Sequence, residues 1–336
     1  MAQFVSSFIT GFSSVVEQNL PKLLPTVKII KVLDGLIFYS YNGDSRDIER
    51  VVYFNNTFFV MASLEGKNLN FQSLFQSVLS KKTYFLINKG SCRVRFNKEN
   101  QFEKVDINLS SKAESFILKN SKLKIDRVSP DTEIWFSIRS EGFGFAGQLI
   151  SKREFTEKNL YKGELRPEFA YLMGAFARIE PSFTVAEPFC GYGAVPLQII
   201  KKFRCAKLYA SDIDDEKISV LKEKKQFKDN PVLDLRQCDA FELKHIADKS
   251  VDIVITDPPW GFFEDVGDIS VFYEKMLKSF DRILKSEGKI ILLSARKEEL
   301  EAVIEKTADL KFCIEEKLNT LVNGKKASLY RICRKL

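Results

Sequence analysis

The stretch Thr184-Val185-Ala186-Glu187-Pro188-Phe189-Cys190-Gly191-Tyr192-Gly193, followed by Ala194-Val195-Pro196-Leu197-Gln198-Ile199-Ile200, decides the reading of the chain. An apolar run ends on an acid, a proline and a Gly-x-Gly turn, and a run able to start a helix follows. This is a strand, a glycine loop and a helix. Working outward, Lys207-Leu208-Tyr209-Ala210-Ser211-Asp212 is a second short apolar strand that ends on a carboxylate. Asp212 stands about 20 residues past the loop, the spacing at which nucleotide-binding folds place a ribose-binding acid. A third strand over 233–238 runs into Asp239-Ala240, and a fourth over 251–256 runs into Asp257-Pro258-Pro259-Trp260. Four strand ends, each bearing a polar or acidic group, are expected to succeed one another in a βα rhythm.

The residue types specify a ligand. Gly191 and Gly193 let the backbone turn tightly and approach a bound molecule without a Cβ in the way. No Lys-Thr pair follows them, so the loop is not a triphosphate P-loop, and the third glycine of the dinucleotide fingerprint has no counterpart. Glu187 suits a cationic group better than a pyrophosphate. Asp212 can accept from two ribose hydroxyls and Asp239 from an adenine amino group. Adenosine carrying a positively charged amino-acid tail is S-adenosylmethionine. Its expected contacts are Glu187, Pro188, Phe189, Cys190, Gly191, Gly193, Asp212, Ile213, Asp239 and Ala240.

Asp257-Pro258-Pro259-Trp260 resembles the Asp/Asn-Pro-Pro-aromatic motif of methyltransferases that act on exocyclic or amide nitrogens. An aryl amine is a poor nucleophile because its lone pair is delocalised into the ring. Acceptance of both its hydrogens, by the Asp257 carboxylate and the Pro258 carbonyl, would localise that pair. Pro258 and Pro259 stiffen the loop, and Trp260 offers a flat surface for a flipped base.

At 336 residues, with 45% hydrophobic residues, the chain has material for two or three domains with real cores. The net charge of +7 fits a polyanionic partner. Six cysteines without a CxxC pair, and a single histidine, argue against a zinc site, and no metal is expected. The thiols read as reduced, which points to the cytoplasm. The first residues lack a basic, long-apolar leader, and no run approaches the roughly 20 apolar residues of a membrane span. His245 and the lysines Lys217, Lys222, Lys224, Lys225 and Lys228 read as solvated surface.

Before the glycine loop, a small α+β unit is expected over 1–80, with strands at 4–9, 27–32, 36–41 and 51–61 and helices from 11 and from 45. Over 81–150, strands at 92–96, 124–128 and 133–139 surround a helix over 106–118. This order, with Lys124-x-Asp126 and Pro130-Asp131-x-x-Ile134, resembles the THUMP domain of RNA-modifying enzymes. The resemblance implies phosphate contacts by Lys98, Lys104, Lys112, Lys119, Lys122, Lys124 and Arg127. A linker and leading helix occupy 151–182, where Leu165-Arg166-Pro167-Glu168-Phe169-Ala170 loosely matches a segment that flanks the methionine end of the cofactor. Arg166 is its candidate carboxylate partner. A helix over 269–284, a strand over 289–293, a helix over 297–306 and a hairpin about Asn323-Gly324 complete a catalytic domain over 183–336.

Taken whole, the chain resembles the THUMP-domain guanine-N2 methyltransferases of RNA. That resemblance implies an α/β, Rossmann-like class I methyltransferase with a seven-stranded sheet, preceded by a ferredoxin-like plus THUMP α+β module. It implies methylation of N2 of a guanosine, in tRNA first and ribosomal RNA second. Glu187 stands where the family usually has Asp, and Trp260 where Tyr is commoner. Methylation of an adenine or cytosine amine or of a glutamine amide, and an RNA-binding protein with an inactive catalytic domain, are the alternatives. The oligomeric state is left open.

Overall fold

The computed structural model describes residues 1–153, 160–262 and 266–335. They divide into two compact units, one from Met1–Phe8 and Glu17–Glu154, the other from Ile9–Val16 and Phe155–Leu336. Among the described residues no helix is long and apolar enough to cross a membrane.

The first unit holds strands β1 (Ala2–Ser7), β2 (Lys28–Leu33), β3 (Leu36–Tyr41), β4 (Asn56–Glu65), β5 (Lys89–Lys98), β6 (Gln101–Phe102), β7 (Lys122–Ile125), β8 (Thr132–Ile138) and β9 (Phe143–Lys152). The expected turn at Asp34-Gly35 joins β2 to β3, with Gly35 at φ +76°. One sheet runs in the order β2-β3-β1-β4-β9-β8-β5-β6, with β7 also on β5. The pairing of β4 with β9 carries it straight across residue 80. Helices α1 (Ser13–Leu23) and α2 (Ser45–Glu49) fall where helices are expected, as does α4 (Ile107–Asn120), whereas α3 (Phe71–Leu79) lies where none is. Its apolar Phe71, Leu74, Phe75 and Val78 recur at helical spacing, and an Asn70–Ser73 capping box starts it. In β8 the alternation is realised. Ile134, Phe136 and Ile138 enter a core with α3 and α4, and Trp135 turns to the other face against Phe58.

In the second unit, α5 (Pro167–Ala177) leads into β10 (Thr184–Glu187), α6 (Ala194–Lys202), β11 (Lys207–Asp212), α7 (Asp215–Glu223), β12 (Leu233–Gln237) and β13 (Val251–Thr256). Then come α8 (Ile269–Ile283), β14 (Leu284–Ser294), α9 (Lys297–Lys306) and the hairpin β15 (Phe312–Val322) and β16 (Lys325–Arg334). The seven-stranded sheet runs β12-β11-β10-β13-β14-β16-β15. Its first five strands are parallel and β16 enters antiparallel, as the class I methyltransferase fold requires. The chain order reverses at β10, which lies between β11 and β13. At such a switch point the strand C-termini open a crevice.

The βα rhythm fails once. No helix joins β12 to β13; turns take its place. Leu243 and Lys249 have positive φ, which a continuous helix forbids. Leu243 and Ile246 are still buried in the core. Arg282 of α8 ties the turns down by donating to the carbonyls of Glu242 (3.0 Å), Leu243 (2.9 Å) and Ile246 (3.0 Å). His245, expected at the surface, is half-buried there with its ring edge on Tyr209, and burial lowers its pKa.

The segment Ile9–Val16 packs within this second unit. Thr320 Oγ1 donates to the Thr10 carbonyl (2.8 Å), and Phe12 meets Phe169 edge-on at 5.3 Å. Gly11, at φ +88°, admits no side chain, because a Cβ would stand 1.9 Å from the Asn319 carbonyl oxygen.

Candidate active site

The glycine loop leaves β10 at Glu187 and is held by its own polar atoms. Phe189 N donates to Glu187 Oε1 (3.3 Å), Cys190 N to the Ser211 carbonyl (2.9 Å) and Gly193 N to the Cys190 carbonyl (2.8 Å). Gly193, at φ +85°, faces Leu221 so closely that a Cβ would lie 2.7 Å from it. Gly191, at φ +51°, faces open space. Gly193 thus serves helix packing behind the loop, and Gly191 leaves room in front of it.

Asp212, at the end of β11, accepts from Gly191 N at Oδ2 (2.8 Å) and from Asp214 N at Oδ1 (3.0 Å). Each carboxylate oxygen has a second lone pair, so the residue is oriented by the loop and can still accept two further bonds. Ile213 beside it is 67% exposed. Asp239 accepts from Phe241 N at Oδ1 (2.8 Å) and Ala240 is buried. Pro188 and Cys190 are buried, and Phe189 packs on Phe272. Burial raises the Cys190 thiol well above its usual range.

Three carboxyls gather at the reversal of the strand order. Glu187 is 1% exposed; Oε1 accepts from Thr256 Oγ1 (2.9 Å), and Oε2 is buried with no partner among the described residues. Burial raises its pKa well above the ordinary value. The Thr256 bond offsets part of this, and the nearby charges of Asp257 and Asp212 add to it. Asp257 follows β13 directly, and its Oδ1 is also buried with no partner among the described residues. Burial pushes its pKa up to about 8, against a smaller lowering by a hydrogen bond with the Trp260 side chain. Pro258 is buried, Pro259 and Trp260 half-buried. The Trp260 indole N–H donates to the Leu293 carbonyl (3.3 Å).

The sequence-selected Glu187, Gly191, Gly193, Asp212 and Asp257 therefore stand at adjacent strand ends. Arg166 is engaged elsewhere: its Nε lies 3.4 Å from Oε1 of the fully buried Glu168. Thr256, Arg296 and Lys224 were not anticipated. Arg296 Nε donates to the Trp260 carbonyl (3.0 Å). Lys224, expected to be solvated, donates to the Tyr192 carbonyl of the glycine loop (2.7 Å), and Lys217 sits 3.8 Å from Asp212. Tyr161 stacks on Tyr192 at 4.1 Å. In the first unit, Lys98, Lys104, Lys112, Lys119, Lys122, Lys124 and Arg127 are candidate phosphate partners. The lysines Lys98, Lys104, Lys112, Lys119, Lys122 and Lys124 are exposed, and Arg127 pairs with Glu114 through both carboxylate oxygens.

Residues 153–321 match the family described as "UPF0020: RMKL-like, methyltransferase domain", half of the chain. The chain belongs to the UPF0020 methyltransferase family. Among curated relatives, the Bos taurus U6 snRNA (guanine-N(2))-methyltransferase THUMPD2 is 27% identical over 182 residues. That match covers 53% of this chain and 35% of the relative, so this UPF0020 chain spans about a third of the relative's length. The Methanothermococcus thermolithotrophicus "Probable tRNA (guanine(10)-N2)-dimethyltransferase" is 28% identical over 128 residues, 36% of this chain and 75% of that one. The crystal structure of TrmN from Thermus thermophilus superposes with a TM-score of 0.80 at 17% identity, covering 100% of both chains. The likeness extends over the N-terminal sheet as well as the second unit, whose strand order is that of the class I methyltransferase fold.

Proposed function

We propose that this protein is an S-adenosylmethionine-dependent RNA methyltransferase that modifies an exocyclic base amine, N2 of a guanosine in tRNA being the leading target. The observation that carries the reading is the Asp257 carboxyl, buried and unpartnered at Oδ1, at the end of β13 with Trp260 beside it. A desolvated acceptor without a donor costs about 1–3 kcal/mol, and a substrate N–H would satisfy it. Two curated relatives bear guanine-N2 methyltransferase names.

The crevice also fits the cofactor. The unpartnered Glu187 Oε2 suits a cationic amino-acid tail, the spare lone pairs of Asp212 suit two ribose hydroxyls, and the exposed Ile213 suits the face of an adenine. Asp239 would accept from the adenine amine, and the open side of Gly191 leaves room for the ligand. When bound, S-adenosylmethionine supplies an electrophilic methyl carbon on sulfonium. The chain's own part is to aim the amine. Asp257 and the Pro258 carbonyl accept its two hydrogens, the lone pair localises, and Trp260 holds the base plane. Most of the acceleration is positioning and electrostatics. A separate general base is unnecessary, since the amine becomes acidic once methylated. Asp257, with its raised pKa, is placed to receive that proton.

RNA is held, in this reading, by the first unit as a THUMP-like module whose one sheet joins the segments before and after residue 80, with further divisions at residues 150 and 182. Its exposed lysines, Lys98, Lys104, Lys112, Lys119, Lys122 and Lys124, make phosphate contacts. Arg127, already paired with Glu114, contributes less. Six free cysteines suit a reducing compartment, and we assign the protein to the cytoplasm. The deciding experiment is mass spectrometry of nucleosides from RNA treated with the protein and labelled cofactor. N2-methylguanosine supports the reading; a ring-nitrogen or ribose-methylated product refutes it.

Two further outcomes are expected. RNA affinity of the full chain should fall steeply with salt, and the quadruple exchange of Lys112, Lys119, Lys122 and Lys124 for Gln should flatten that slope by about 0.7–0.9 for each phosphate no longer neutralised. An unchanged slope would show that other residues bind the phosphates. Trp260→Ala should weaken productive RNA binding by about 1–3 kcal/mol, and Trp260→Phe should keep much of it. Steady-state kinetics at fixed cofactor would measure both.

A further inference from the structure

Resting on that reading, we infer that Arg296 is a positioning residue for the Trp260 base platform. The turn after β14 supplies the anchor. The Ser294 hydroxyl is buried, hydrogen-bonds the buried Tyr273 hydroxyl (2.8 Å) and accepts from Arg296 N (2.8 Å). This fixes the backbone of Arg296 to the core. From that anchor its side chain reaches back over the catalytic loop. Nε donates to the Trp260 carbonyl at 3.0 Å, Nη1 lies 3.3 Å from Glu299, and the guanidinium plane covers Phe262 at 4.6 Å. The last residues of β14 take the other end of Trp260, because its indole N–H donates to the Leu293 carbonyl at 3.3 Å. Trp260 is thus held at backbone and ring tip by two residues three positions apart, one at the end of β14 and one in the turn after it.

The indole N–H, shared between the Leu293 carbonyl and the Asp257 carboxyl, holds the ring but leaves the backbone of the loop unfixed. The bond from Arg296 to the Trp260 carbonyl fixes the peptide that joins Trp260 to Gly261, and with it the backbone from which the ring projects. A guanidinium suits the task. It is planar and always charged, and it can donate along one edge to a carbonyl while its face rests on an aromatic ring. A lysine ammonium offers a point charge without that geometry. Displacement of a positioning group by about 1 Å costs on the order of 10²-fold in rate, so the brace belongs to the specificity of the site.

The test uses the full chain. Arg296→Ala is expected to lower kcat about 10–100-fold, with cofactor affinity and thermal midpoint close to the parent's. Arg296→Lys should not restore the rate, and millimolar guanidinium should restore part of it to Arg296→Ala. The protein's two tryptophans are Trp135 and Trp260. In a Trp135→Phe background the emission of Trp260 should shift to the red and its anisotropy should drop when Arg296 is removed. This optical readout needs no turnover, so it tests the brace even if the proposed reaction is refuted. Should Arg296→Ala not fold, Arg296→Gln is measured in its place. Unchanged kcat and unchanged Trp260 emission would overturn the inference. So would full activity in Arg296→Lys, or a loss of cofactor affinity and thermal midpoint with Trp260 emission unchanged.

Discussion

An Asp257→Ala protein is expected to fold, to bind RNA as the parent does and to transfer methyl groups roughly 10²–10⁴-fold more slowly. The carboxyl is the group aimed at the amine, whereas the proposed phosphate contacts lie in the other unit. The pH dependence sharpens this. The carboxylate accepts the substrate hydrogen more strongly than the neutral acid does, and burial has moved the pKa up to about 8. Turnover should therefore climb with pH and level off above about 8, with no descending limb. Asp257→Asn keeps an acceptor but cannot titrate, so its residual rate should lose the climb.

Stability moves the other way. The folded pKa of Asp257 is raised above the unfolded 3.8. The carboxyl's contribution is therefore intact below about pH 4 and is lost progressively as pH rises towards 8. Asp257→Asn should be more stable than the parent at about pH 8, by about 1–3 kcal/mol, and equal to it near about pH 4. Thermal midpoints at the two pH values measure this. A parent rate that does not change between about pH 6 and 9 would show that Asp257 is not the acceptor.

Loss of the cofactor is the second large effect. Asp212→Ala removes the acceptor for two hydroxyls and also releases the Gly191 N–H that it holds. Affinity should drop by about 1.5–3 kcal/mol per charge-assisted bond. Glu187 should behave differently. Its carboxyl is raised by burial in the free protein, and the arrival of a cation favours the charged form. Binding should release a proton, and affinity should improve with pH. Calorimetry in buffers of different ionisation enthalpy would detect that proton. Glu187→Gln should abolish its release and weaken binding at neutral pH. Unaltered affinity in a folded Asp212→Ala protein would mean that the crevice has been read wrongly.

What the chain disclosed by itself follows from where each constraint is local. A glycine turn after an apolar run, an acid at a strand end and Asp257-Pro258-Pro259-Trp260 each write their geometry into a few consecutive residues. They placed the sheet, the crevice and its acids. The partners that complete the site do not sit nearby in sequence. Thr256 meets Glu187 across 69 positions, and Arg296 meets Trp260 across 36. Nothing local marks either. The ion pair of Arg166 with Glu168, two positions on, was not legible either, because the burial of that helix shows in no short window. The segment between β12 and β13 carries enough polar residues to pass for a helix. Its conformation is set by Arg282 and by the positive φ of Leu243 and Lys249. Helix α3 was legible in principle, from Phe71, Leu74, Phe75 and Val78.

The placement of Ile9–Val16 bears on how the molecule can be made and rearranged. Thr10 is translated 310 residues before Thr320, whose hydroxyl donates to its carbonyl. On a ribosome the catalytic half cannot close around this segment until the final hairpin has left the exit tunnel. A fragment started at the linker would lack a strip of its own packing, including the ring of Phe12 on Phe169. Exchange of the N-terminal half as an independent cassette would remove the same strip. A graft that carries Thr10, Gly11 and Phe12 along is expected to yield a better-folded catalytic half than one cut cleanly at the linker.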